Sequence, residues 1–108
     1  MFDVSARYAA TIDGAKALGQ ANVIGSLEVG KRADVIVVDM NTSHATPNAK
    51  DLVSALVYSA QATDVQCVIV DGQIVMRNRT LLTLDESEVI SAAVRLSGEL
   101  IKRAGVSF

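Results

Sequence analysis

At 108 residues, half of them apolar, the chain is expected to form a single domain, 1–108, with one core. Two tyrosines, two phenylalanines and no tryptophan leave Val, Ile, Leu and Ala to build that core. A net charge of −2 with no basic cluster argues against nucleic acid, and no apolar run nears the roughly 20 residues of a membrane span.

The first residues lack a basic stretch followed by an apolar run, so they do not read as a secretory signal. Cys67 is the one cysteine; it can form no internal disulfide and fits a reducing cytoplasm. In chain order, residues 3–18 read as a helix of good formers, stopped by Gly19 and weakened at Gly14. A loop follows over 20–25, then a short strand near Ser26–Glu28. Gly25 and Gly30 give the backbone freedom of a turn, and Val35–Val38 is an unbroken β-branched run suited to a strand buried on both faces. Lys31, Arg32, Asp34 and Asp39 flank that run.

Residues 40–50 are polar and hold the only proline, Pro47, which predicts a surface loop. Asn48 or Asp51 can cap a second helix over roughly 50–59, whose Leu52, Val53, Leu56 and Val57 form one apolar stripe. Val65–Val70 and Gln73–Asn78 predict a hairpin closed by Asp71-Gly72 in a type I′ turn. Asn78-Arg79 predicts a second turn into a short strand, Thr80–Leu82. Asp85 then caps a third helix, with Glu88 placed to reach back and Gly105 placed to end it. The sum is α+β: a small antiparallel or mixed sheet of three to five strands flanked by about three helices.

Four ordered stretches carry a resemblance. Ile24-Gly25-Ser26-Leu27-Glu28-Val29-Gly30-Lys31-Arg32-Ala33-Asp34 resembles a signature near the C-terminus of the amidohydrolase superfamily. It is most similar to the cytosine deaminase-like branch, which includes methylthioadenosine and S-adenosylhomocysteine deaminases and triazine chlorohydrolases. Ala10–Gly19 resembles that branch's helix, with Asp13 where Asn is usual. Leu56-Val57-Tyr58-Ser59-Ala60 with Val65, and the Val68–Val75 hairpin, resemble two further segments; together the likeness covers about 9–104. The resemblance implies helices that pack on a (β/α)₈ barrel and strands that join an N-terminal segment in a small β-sandwich. It also implies a zinc- or iron-dependent hydrolase whose ligands are a His-x-His pair, further histidines and a late aspartate on barrel strands.

Those ligands have no counterpart here. A metal lowers the pKa of its bound water so that hydroxide attacks at neutral pH, and it needs three or more protein ligands. The single imidazole, His44, sits in a polar loop and reads as a solvated side chain. Cys67 reads as a small core residue, and Asp34 and Asp39 as turn or edge residues. Ser26 lacks the strand–elbow–helix setting of a nucleophile, and Gly30-Lys31-Arg32 lacks the spacing of a phosphate loop. Glu86 and Glu88 read as helix N-terminal charges. No catalytic, metal or cofactor-binding residue is therefore assigned, and no cofactor is expected on this chain.

Three functions follow as expectations. The first is a non-catalytic C-terminal fragment, starting at Met1 just before the family-like helix. Its orphaned surfaces are expected to drive dimerisation through the sheet edge or the first helix. The second is an assembly module that complements a separate barrel-bearing chain. The third, least favoured, is a stand-alone hydrolase.

Overall fold

The fold begins with a helix that breaks. The chain was described by a computed structural model, and residues 2–45 and 51–106 are described below. The single helix expected over 3–18 is two: α1 (Phe2–Ala10) and α2 (Ile12–Ala17). Thr11 separates them at φ −124° and ψ −101°. Its hydroxyl donates to the Arg7 carbonyl at 2.8 Å, and its N–H turns back to the Tyr8 carbonyl. A threonine hydroxyl that bonds the carbonyl four residues back offers the backbone an alternative to the helical ladder.

The strand expected near Ser26–Glu28 is absent. Residues 21–26 are turns and bends, and the segment leads through Gly30 into β1 (Val35–Val38). α3 (Leu52–Tyr58) is capped by Asp51, whose carboxylate accepts the Ser54 N–H at 3.1 Å. Pro47 and Asn48 lie outside the described residues. A 3₁₀ turn, Ala62–Asp64, then enters β2 (Val65–Val70), followed by β3 (Gln73–Arg77), β4 (Thr80–Leu81) and the long α4 (Glu86–Ala104).

The four strands form one sheet in the order β1-β2-β3-β4, antiparallel throughout. Asp71 and Gly72 both have positive φ, 50° and 80°, as the type I′ turn requires. Asn78 and Arg79 do the same at 48° and 65°. The Arg79 guanidinium reaches the carbonyls of Ala62 and Val65, each at 3.2 Å, which ties this turn to the start of β2. Register bulges occur at Val37/Val38 and at Val68/Ile69.

The fold is α+β, but its surfaces are not closed. β1 is an edge strand, and its Ile36 and Val37 are 57% and 51% exposed, against the burial on both faces expected from their sequence. Among the described residues the buried apolar side chains are only Ala15, Ala45, Ala55 and Met76. α1 packs on α2 and α3, whereas α4 makes no extensive contact with any other element. The accessible surface is 8302 Å². A closed domain of 11.4 kDa exposes about 5,800 Å². The radius of gyration, 18.6 Å, likewise exceeds the value of about 13 Å for a closed domain of this length.

Candidate functional site

The signature stretch 24–34 holds a cluster of bonded polar groups. Gly25 has φ +92°, and a Cβ there would lie 2.6 Å from the Ala15 Cβ and 3.0 Å from the Ile12 Cα. Only glycine lets the chain pass this close to α2 with that φ. The turn places Lys31, whose side chain is 13% exposed, over the loop behind it. Its Nζ donates to the Ala21 carbonyl at 2.6 Å and to Ser26 Oγ at 2.7 Å, and lies 2.9 Å from Glu28 Oε2. Ser26 Oγ donates to Glu28 Oε2. The Ser26 hydroxyl, and then the Lys31 ammonium, hold the Glu28 carboxyl below its ordinary value. Ser26, Glu28 and Lys31 thus form a knot that fixes the loop, and their polar groups point at one another.

The end of the stretch fastens the loop to the sheet. Asp34 Oδ1 accepts the Asp71 N–H at 2.7 Å, and the Ala33 carbonyl accepts the Gly72 N–H at 3.1 Å. Arg32 Nε lies 3.7 Å from the Asp71 carboxylate. Asp39, at the other end of β1, accepts the Asn41 N–H at 2.9 Å. Both aspartates therefore organise turns.

Between α2, the 24–27 loop and β1 lies an open cleft of about 470 Å³. Gly14, Leu18, Ile24, Leu27 and Ile36 give it an apolar lining. Its polar members already have partners: Thr11 on the Arg7 carbonyl, Ser26 on Glu28, and Asp34 on the Asp71 N–H. With these side chains engaged and most of its lining apolar, the cleft has the character of a packing surface.

His44 lies exposed in a turn, as its sequence context indicated, and it also has a partner. Its Nε2 lies 2.7 Å from Asp64 Oδ2, and Thr42 Oγ1 is 3.2 Å away. Asp64 is 4% exposed and also accepts the Gln61 N–H at 2.8 Å, which closes a capping box on the 3₁₀ turn. The Gln61 N–H, followed by His44, holds the Asp64 carboxyl below its ordinary value. The partner lies twenty residues away, at the end of the short polar connection over 60–64. The only local signal was Gln61 and Asp64 at capping-box spacing.

The remaining candidates stay apart. Cys67 is half-buried in the middle of β2. Glu86 and Glu88 lie in the first turn of α4, where Asp85 accepts the Glu88 N–H at 3.0 Å. Among the described residues no three His, Cys, Asp or Glu side chains gather where they could hold a metal. His44 and Asp64 are engaged with each other, so this donor set does not fit a catalytic zinc.

Residues 4–75 match the sequence model of the Amidohydrolase family, and the chain belongs to that family. It is 48% identical over 92 residues to a 5-methylthioadenosine/S-adenosylhomocysteine deaminase of Syntrophomonas wolfei, covering 85% of this chain and 21% of the relative. It is 50% identical over 95 residues to a 5'-deoxyadenosine deaminase of Methanosarcina acetivorans, covering 88% of this chain and 21% of the relative. Among solved structures it resembles an adenosine deaminase from Xanthomonas campestris with bound zinc. That likeness has a TM-score of 0.87 at 31% identity and covers 93% of this chain and 23% of the other. A triazine hydrolase of Arthrobacter aurescens shares the fold at a TM-score of 0.74 and 22% identity, covering 83% of this chain and 19% of the other. The chain spans about a fifth of the length of the curated relatives it matches.

Proposed function

We propose that this chain is the non-catalytic C-terminal part of a metal-dependent amidohydrolase that deaminates adenosine derivatives by hydrolysis. Its work is structural: it covers and steadies a histidine-bearing barrel that supplies the metal and the activated water. One observation carries the reading. A chain of this family exposes about 2,500 Å² more surface than a closed domain of its mass. Deamination is favoured over dechlorination because the relatives at about half identity are named deaminases, whereas the triazine hydrolase is 22% identical. The parent metal is zinc on this reading, supported by the zinc in the Xanthomonas structure. The setting is a reducing cytoplasm, supported by the free Cys67.

A second arrangement, in which the barrel comes as a separate polypeptide, is supported by the open edge of β1. A stand-alone hydrolase is disfavoured by the donor set. The test is turnover of 5-methylthioadenosine by the purified chain with added zinc. No turnover above the buffer rate is expected; zinc-dependent release of ammonia by this chain alone would overturn the reading.

A further inference from the structure

We propose that Asp71-Gly72 is an isoaspartate-forming site that the signature loop holds shut through Ala33 and Asp34. The inference goes beyond the deaminase reading and does not depend on it.

An aspartate followed by glycine can close on itself, because glycine has no Cβ to hinder attack by its own amide nitrogen. The Gly72 nitrogen bonds to the Asp71 carboxyl carbon, and the carboxyl hydroxyl leaves with the Gly72 amide proton as water. Water then adds at the Asp71 main-chain carbonyl and breaks its bond to that nitrogen. The chain now runs through the Asp71 side chain, one methylene longer, with its mass unchanged and no oxidant consumed. Asp71 and Gly72 are both exposed at the tip of the β2–β3 hairpin, so water reaches the site.

Closing that ring swings the Asp71-Gly72 peptide about the Asp71 Cα–C bond, and the signature loop ties both ends of the residue. The Gly72 N–H, whose proton must be given up, donates to the Ala33 carbonyl at 3.1 Å. The Asp71 N–H donates to Asp34 Oδ1 at 2.7 Å, a short bond to a carboxylate. Asp71 stands at φ +50°, a conformation that an L-residue leaves readily once its bonds are lost. The loop therefore governs how often the turn opens far enough to react. A turn lengthened by one methylene no longer has the two-residue geometry that fastens the hairpin to the loop. The chain carries a second Asp-Gly pair, Asp13-Gly14, inside α2, which takes no part in these bonds. That pair reports any general opening of the fold.

The test follows isoaspartate in the intact chain at neutral pH over weeks, read with an endopeptidase that cuts before aspartate but not before isoaspartate. In urea both pairs should convert, and in the folded chain Asp71 should convert at least about tenfold more slowly than in urea. Asp34→Ala should speed the folded chain's conversion at Asp71 about tenfold and leave Asp13 unchanged, whereas Asp34→Asn, which keeps an acceptor oxygen, should stay nearer the unaltered rate. No isoaspartate at position 71 in urea, or a folded chain that converts there as fast as in urea, would overturn the proposal. So would an Asp34→Ala rate equal to that of the unaltered chain. Amide exchange on the unaltered chain needs no variant, and it decides the matter if Asp34→Ala opens the whole fold and speeds both pairs alike. The Gly72 N–H should exchange at least about tenfold more slowly than a free amide; exchange at the free rate would mean that the loop does not hold the turn.

Discussion

Gly25 passes so close to Ala15 that a methyl group on its Cα would sit 2.6 Å from the Ala15 Cβ. That approach seats the signature loop against α2. Gly25→Ala must therefore move α2 or the loop, as well as strain a φ of +92°. The expected cost is about 2–4 kcal/mol, from overpacking and strain together. Gly30 has nearly the same φ, +90°, but open space where its Cβ would lie, so Gly30→Ala should cost only about 1–2 kcal/mol. Urea denaturation followed by circular dichroism measures both. Equal losses would mean that the contact with Ala15 contributes nothing.

Lys31 differs from the other lysine described in an ion pair. Lys16 and Asp13 are 63% and 53% exposed, and Lys16→Met should change stability by no more than about 0.5 kcal/mol. Lys31→Met leaves the Ala21 carbonyl, Ser26 and Glu28 without their shared donor, so about 1–3 kcal/mol should be lost. The same unfolding experiment separates the two variants. If they behave alike, the knot is not what holds the loop.

Acid should weaken the fold through specific carboxylates. Asp64, Glu28 and Asp85 all titrate below their ordinary values, Asp85 chiefly through the Ser87 hydroxyl and then the Glu88 N–H. A carboxyl that holds its proton less tightly when folded stabilises the fold above its unfolded pKa. That contribution is lost as pH falls through 4.5 and 3.8, the ordinary Glu and Asp values, towards the lowered ones. Unfolding midpoints measured from pH 7 to pH 2.5 should drop over this acid range. Asp64→Asn should make the drop shallower by removing one proton-linked group; an identical pH profile would remove Asp64 from the account.

Zinc should find no site of its own. After chelator-free purification and dialysis against zinc, elemental analysis should give well under one equivalent per chain. One tightly held equivalent would mean that His44 leaves Asp64 to join ligands the described fold does not gather.

Local signals made much of the fold legible. The Asp71-Gly72 and Asn78-Arg79 turns, the Asp51 and Asp85 caps and the Gly105 stop each depend on residues close in sequence, and each lies where the pattern put it. The failures were of a different kind. Thr11 follows a run of good helix formers, and its hydroxyl turns back to the Arg7 carbonyl where the helix breaks. His44 and Asp64 are twenty residues apart, so no local pattern joins them. The Val35–Val38 run records the burial its composition suits, yet two of its four side chains stand exposed, with no cover among the described residues. The signature loop read as a turn, but its knot of Ser26, Glu28 and Lys31 depends on a backbone path that residue types alone do not specify.

The most direct test of the central claim is complementation. The Syntrophomonas wolfei deaminase would be prepared without the stretch this chain matches, loaded with zinc, and assayed on 5-methylthioadenosine with and without this chain. The account predicts little turnover by either piece alone and a saturable rise on mixing. A truncated deaminase that works equally well without this chain, or a mixture that stays inactive although the two pieces bind, would contradict it.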